Sequence, residues 1–290
     1  MAAKIFEVPA EAAGWRTDRF LQKYFPQLSA QVLREIFTRR DVKVNGTRVR
    51  PDHPVAAGDS VQVFYMDTAV GNDCLSIVYE DEDVLLINKR SGISVESDPG
   101  GGLSLTELCL RHVRQNNPEA YAPVPCHRLD NRTCGLVLFA KNENALEILL
   151  DVFRTRSLGK YYVCLVKGFM KPPEATCKAW LIKDAEAARV TVTDHPTGSA
   201  REIITAYETL ENGPVSRLRV HLITGRTHQI RAHLSSLGHP LLGDDLYGDR
   251  AFNKAQKCRQ LRLCASELTL DTGGRLPALD GKHFSIQPPF

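Results

Sequence analysis

From residue 75 to residue 270 the chain is a succession of short apolar or alternating runs, with too few helical stretches between them to serve as crossovers. That pattern constrains the fold more than any other feature. Runs over 75–79, 84–88, 135–140, 161–166, 189–193, 202–210, 215–222 and 262–270 have the composition and alternation of strands. Helical spacing occurs over 103–113, after Asn142 at Leu146, Leu149, Leu150 and Phe153, and over 228–237. A doubly wound sheet needs a helix between successive parallel strands, whereas here strands follow one another directly. The expected class is α+β with a mixed or antiparallel sheet.

A chain of 290 residues is long enough for a large domain plus a module. The break falls where Gly71, Asn72 and Asp73 stand in a stretch without periodicity. We expect a unit over 1–66, a linker over 67–74 and a second domain over 75–290. In the first unit Thr17 is expected to cap a helix carrying Phe20, Leu21, Tyr24 and Phe25. Ser29 is expected to cap another, carrying Val32, Leu33, Ile36 and Phe37 on one stripe. An Asn45-Gly46 hairpin, a Gly58-Asp59 turn and the alternating run over 60–65 complete an ααβ-type unit. In the second domain, the glycines of 98–102 predict a flexible loop.

The net charge of +3 is uninformative until the chain is divided. Residues 1–66 hold 10 Lys and Arg against 7 Asp and Glu, which leaves 27 against 27 for the rest. Within 31–50, Arg34, Arg39, Arg40, Lys43, Arg48 and Arg50 outnumber Glu35 and Asp41, a density that suits phosphate contact and also a solvated face. A hydrophobic content of 43% excludes a disordered chain, and no uncharged apolar run approaches a membrane helix. The opening MAAKIFEVPA has no apolar core of signal-peptide length, so a cytoplasmic protein is expected. The eight cysteines never fall in a Cys-x-x-Cys pair, so reduced thiols are expected, and no metal.

Two segments are richer in polar residues than a core requires. In Cys126-His-Arg-Leu-Asp-Asn-Arg-Thr-Cys-Gly135, Asp130 precedes a buried strand and is flanked by His127, Arg128 and Arg132. A carboxylate positioned among cations serves as nucleophile or general base, although Asp-Asn near a glycine is also an ordinary turn. In Thr224-Gly-Arg-Thr-His-Gln-Ile-Arg-Ala-His233, Thr227 is expected to cap a helix and Arg231 to lie one turn further on. Donors grouped at a helix start suit a phosphate or a partner carboxylate.

Taken together, these segments resemble the RluA family of pseudouridine synthases. His127-Arg-Leu-Asp130 with Thr133-x-Gly135 resembles its hallmark motif, and Gly225-Arg-Thr-His-Gln-Ile-Arg231 with Gly238-His-Pro and Gly243-Asp244 its third. Val84-Leu-Leu-Ile-Asn88-Lys89 with Gly92 is similar to the first motif, and Lys160-x-Tyr162 with Val166-x-Gly168 to the Lys-x-Tyr strand. Departures fall at Arg90 in place of proline, at Ser94 to Ser97 where a histidine is usual, and at Cys134 in place of serine. They bear on the shape of the substrate groove and leave Asp130 in place. Residues 15–65, with an Arg-rich helix end, Val42-x-Val44-Asn45-Gly46 and a late Gly58-Asp59-x-Val61-x-Val63, resemble an S-four-like RNA-binding domain.

The resemblance implies a cofactor-free isomerisation of uridine in structured RNA, with the base flipped out of its stack. It implies Asp130 as catalytic carboxylate, Tyr162 stacking on the base and assisting proton removal from ring carbon 5, and Arg231 pairing with Asp130. It also implies Arg128, His127, Lys160, Arg226 and His228 at the substrate, His127 as a structural hydrogen-bonder. Arg34, Arg39, Arg40 and Lys43 would face RNA. Val220 to Ile223, with Leu263 and Leu268, are expected to form the apolar wall of the base pocket. Among members carrying such a module, large-subunit ribosomal RNA is the expected substrate and transfer RNA the alternative. The partner is RNA, with no DNA and no membrane, and a monomer is expected. A noncatalytic RNA-binding protein on the same scaffold is the alternative class. A glycosidase would want a second, paired carboxylate that the motif lacks.

Overall fold

The computed structural model describes residues 2–25, 30–65, 75–97, 104–115, 117–184 and 189–290. The expected linker over 67–74, the Ser29 cap, the side chain of Val32, the 98–102 loop and Cys74 lie outside the described residues. By its contacts the chain divides into two compact units, Met1–Leu75 with Glu96–His112, and Ser76–Val95 with Val113–Phe290. The stretch over 96–112, which the sequence reading puts in the second domain, groups with the first unit.

In the first unit an antiparallel sheet has the strand order β1-β4-β2-β3, with β1 Ala2–Glu7, β2 Val42–Val44, β3 Thr47–Arg48 and β4 Ser60–Tyr65. Helices α1 (Thr17–Tyr24) and α2 (Ala30–Thr38) supply Phe20, Leu21, Leu33, Ile36 and Phe37 to a core shared with Val42, Val44, Val61 and Val63. Thr17 does not cap α1. It is the first helical residue, after Arg16, and its hydroxyl donates to the His53 carbonyl at 2.8 Å. The β2–β3 hairpin turns on Asn45 and Gly46, both at positive φ, as a two-residue turn of this hand requires. The Asn45 amide donates to Asp59 at 2.8 Å, and its carbonyl oxygen accepts the Ser60 N–H at 2.8 Å, locking the two turns together. Helix α3 (Leu105–Arg114) opens with a capping box: Ser104 Oγ accepts the Glu107 N–H at 3.2 Å, and the Glu107 carboxylate accepts the Ser104 N–H at 2.7 Å.

The second unit is built on one large sheet with the order β11-β10-β12-β13-β9-β14-β8-β6-β5. Its strands are β5 Ile77–Glu80, β6 Val84–Lys89, β7 Val124–Pro125, β8 Cys134–Ala140, β9 Leu158–Lys167, β10 Glu174–Asp184, β11 Arg189–Thr193, β12 Arg201–Glu211, β13 Val215–Leu222, β14 Leu263–Leu270 and β15 His283–Ser285. Strand β7 pairs with β8, and β15 with β14. Every pairing is antiparallel except β14 with β8, so the sheet is mixed. Helix α4 (Glu143–Thr155) starts where Asn142 accepts the Ala145 N–H at 2.8 Å. It packs Ala145, Leu149 and Val152 onto Leu136 and Leu138 of β8, with Leu268, Leu276 and Leu279 closing the core. Leu268, expected in a base pocket, is therefore a core residue: strand alternation turns it toward α4. Helix α5 (Gln229–Ser236) contributes Ala232 to a second cluster with Ala179, Leu181, Val190 and Ile203. A short α6 spans Arg250–Ala255.

The parallel β8–β14 pairing is close because Gly135 has no side chain. Its φ is +118°, and a Cβ there would lie 2.3 Å from the Ala265 carbonyl oxygen. Ala265 is in register with Gly135 on one side and with Tyr162 of β9 on the other, so Tyr162 stands one strand from the segment that follows Asp130.

Candidate active site

Asp130 begins a tight turn whose carbonyl accepts the Thr133 N–H at 3.0 Å, immediately before β8. The loop after β6 grips that turn. Gly92 N–H donates to the Asn131 carbonyl at 2.8 Å, Ser91 Oγ to the Arg132 carbonyl at 2.8 Å, and Asn131 Nδ2 to Ser94 Oγ at 3.0 Å. Two of the departures noted above, Arg90 and Ser94, thus belong to the stretch that cradles the turn. Lys89, at the end of β6, is 1% exposed and donates to the carbonyls of Arg90, Ile93 and Asn131 at 3.1, 2.8 and 3.0 Å. Burial pulls its ammonium down to about 8, against the opposing pull of Cys134 and Asp130.

Arg231 comes to the same place from α5. The helix does not begin with a Thr227 cap: its N-cap is His228, at φ +53°. The Gln229 side chain takes over the entry, its oxygen accepting from the Arg226 N–H at 3.1 Å and from Thr224 Oγ at 2.9 Å. The Arg231 fork donates from Nε and Nη2 to the two Asp244 oxygens at 2.7 and 3.0 Å, which leaves Nη1 for Asp130 Oδ2 at 3.1 Å. Burial works against the Arg231 charge, but the two carboxylates outweigh it and hold the guanidinium above its usual range. Asp244 is wholly buried. Burial raises its carboxyl, yet Arg231 and the N–H groups of Tyr247 and Leu246 together bring it below the ordinary carboxylate range. The Asp130 side chain keeps 23% of its surface exposed, so a carboxylate anchored through one oxygen still faces an open side.

His228 Nε2 lies 3.8 Å from Asp130 Oδ2, and its Nδ1 lies 3.0 Å from the Tyr247 hydroxyl. Burial lowers its pKa, with Asp130 opposing, so the imidazole is neutral near pH 7. Tyr162 is buried, and burial together with the Asp130 charge raises its phenol above the usual value. A phenol so held is protonated at neutral pH, which suits stacking and hydrogen bonding.

The other expected substrate residues are placed differently. His127 is turned inward. Its Nε2 accepts the Leu138 N–H at 3.2 Å, its ring stacks on Phe153 at 4.9 Å, and burial, helped by Lys160, pushes it down to about 3. That nitrogen is thereby committed to the backbone of β8. Lys160 reaches the loop of the third motif, where a side chain at Gly225 would come within 3.0 Å of Nζ. Arg128 and Arg226 are exposed. In the first unit Arg34, Arg39 and Arg40 are exposed, and Lys43 Nζ lies 5.1 Å above the Phe64 ring. Arg40 closes α2 in a left-handed conformation, with the Arg40 and Asp41 N–H groups bound to the Phe37 and Ile36 carbonyls at 3.0 and 2.8 Å.

Sequence reasoning assigned no role to Lys89 or Asp244, and expected Arg132 only as a cation flanking Asp130. Arg132 donates to the carbonyls of Gly243 and Arg259 at 3.1 and 2.6 Å and pairs with Asp245. A lysine closing β6 just after its apolar run of Val84 to Ile87, and the acidic pair after Gly243, were the signals available.

Residues 83–236 match the family described as RNA pseudouridylate synthase. The ribosomal large subunit pseudouridine synthase C of Vibrio vulnificus is 34% identical over 265 residues, covering 86% of this chain and 82% of that protein. Its counterpart in Escherichia coli K12 is 31% identical over 271 residues, covering 87% and 82%. Among solved structures, human RNA pseudouridylate synthase domain containing 4 shares the fold with a TM-score of 0.61 at 23% identity, over 74% of this chain and 88% of that one. Human RNA pseudouridylate synthase domain containing 1 superposes with a TM-score of 0.58 at 26% identity, over 74% and 90%.

Proposed function

Because the chain belongs to the RNA pseudouridylate synthase family, its reaction is the isomerisation of uridine in RNA, and we propose that Asp130 performs it on large-subunit ribosomal RNA. The bond from ribose carbon 1 to ring nitrogen 1 breaks, the base turns, and ring carbon 5 bonds to the sugar. The proton on carbon 5 leaves and nitrogen 1 gains one, so nothing is oxidised or hydrolysed.

The observation that carries this reading is the chain Asp130–Arg231–Asp244. A buried guanidinium with two bonds committed to Asp244 cannot swing away, so it fixes one oxygen of Asp130, a side chain that stays partly exposed. Such preorganisation matters most for a group that must meet a reacting atom at short range. Asp130 is the carboxylate placed to attack, while Tyr162 stacks on the base and assists removal of the proton from carbon 5. Arg128, Arg226 and Lys160 are assigned to substrate contact, and Arg34, Arg39, Arg40 and Lys43 to RNA outside the pocket. The ribosomal substrate is supported by the names of the relatives, which match over most of both chains. Mapping pseudouridines in total RNA from cells with and without the gene tests it. Loss of one or a few sites in large-subunit ribosomal RNA is the expected result, and a loss confined to transfer RNA overturns that choice of substrate.

A further inference from the structure

Beside the catalytic pair lies a groove of about 610 Å³ lined by Gly243, Asp244, Asp245, Arg250, Asn253, Lys254, Lys257, Cys258 and Arg259. Four of these side chains are cationic, and Arg250, Lys254, Lys257 and Arg259 are all exposed. The two acids in the lining are already engaged, Asp244 by Arg231 and Asp245 by Arg132. None of the four cations has an ion-pair partner among the described residues. The groove therefore presents uncompensated positive charge.

It is also joined to the reacting carboxylate through short, specific links. Asn253 of α6 accepts the Gly243 N–H at 2.8 Å and donates to the Asp244 carbonyl at 2.9 Å, tying the basic helix to the residue that holds Arg231. Arg132, two residues after Asp130, donates to the Gly243 and Arg259 carbonyls on the groove's floor. Gly243, at φ +78°, lets the chain pass so close to the 260–261 peptide that a Cβ would lie 1.9 Å from the Gln260 oxygen. A uridine drawn out of its stack toward Asp130 leaves its neighbouring phosphates within a nucleotide or two of this wall, and unstacking it costs a few kcal/mol that backbone contacts must offset.

We propose that this groove holds the phosphates of the RNA strand that flanks the flipped uridine, with Arg250, Lys254 and Lys257 as the principal contacts. The inference rests on the RNA substrate of the preceding section and adds the path of the strand. Three side chains bound to phosphate would contribute about 2 to 3 to the slope of log affinity against log salt, at roughly 0.7 to 0.9 for each phosphate neutralised.

The test is binding of the full chain to transcribed large-subunit ribosomal RNA over a range of salt, for the wild type and for Arg250→Gln/Lys254→Gln/Lys257→Gln. A second triple variant, Lys171→Gln/Lys178→Gln/Lys183→Gln, removes equal charge from exposed positions on and beside β10. The proposal predicts weaker binding and a slope smaller by about 2 to 3 for the groove variant, with the β10 variant close to wild type. An unchanged slope in the groove variant overturns it, and so does an equal loss in both variants, which reports net charge alone. Pseudouridine formed by the wild type in the same transcript is measured in parallel. Its absence counts against the substrate, while the groove is still judged by the salt slopes.

Discussion

Asp130 owes its position to side chains and carbonyls from separate stretches of the chain: Arg231 on α5, the loop after β6 and the buried ammonium of Lys89. His127, three residues earlier, shows how the same segment is anchored underneath. It sits near 3 in the folded chain against 6.5 when exposed, so between those values the unfolded chain binds a proton that the folded one refuses. The stability gained by keeping this ring neutral is complete above about pH 6.5 and declines as pH falls toward 3. His127→Gln, whose amide oxygen can still accept from Leu138, removes that sensitivity. Thermal unfolding of both proteins from pH 7 down to pH 4 should show the wild type losing stability relative to the variant, and a constant difference contradicts the assignment. At this scale Asp130, His228 and Arg231 are legible in the sequence, because their types recur at motif spacing. Lys89 is less so: the carbonyls of Arg90 and Ile93 are close by in sequence, but that of Asn131, which ties it to the Asp130 turn, comes near only in the fold.

The elements around the site differ in how plainly they can be read. Asn142 opening α4 is visible as an N-cap before a helical stripe, and the side chain both caps Ala145 and donates to Asp83 at 2.8 Å. Asn142→Ala should cost about 1 to 2 kcal/mol, read as a lower midpoint in denaturant unfolding with unchanged slope; an unaltered midpoint means that the cap contributes nothing. Strand β10 is missed by pattern because the inward positions near its start carry Ala175 and Cys177, too small to register as apolar alternation. Strand β15 is three residues long, below the length at which alternation is visible. Thr17 and Thr227 are the right residue type one position off. Thr17 is spent on His53, and Gln229 takes over the entry to α5 by folding back on Arg226 and Thr224. Cap chemistry is local, but which of several polar residues supplies it depends on what else the fold asks of them.

At the scale of the whole molecule, positive charge is distributed by task. The excess of the first 66 residues sits on exposed arginines at the end of α2, and the rest of the chain, balanced in number, spends Asp244 on Arg231 and Asp245 on Arg132 while leaving cations on the groove. Among the described residues no helix is long and apolar enough to cross a membrane. The division of charge was legible from counting. The groove was not, because its uncompensated state depends on which cations the fold brings to its acids: Arg231 to Asp244, and Arg132, more than a hundred positions away in sequence, to Asp245. All of this serves one carboxylate, and the most direct measurement is pseudouridine formation by Asp130→Asn, which keeps the size of the side chain and removes its charge. The variant is predicted to fold, to bind RNA and to form no pseudouridine above background. A folded variant that binds RNA and converts uridine at the wild-type rate contradicts the assignment of Asp130.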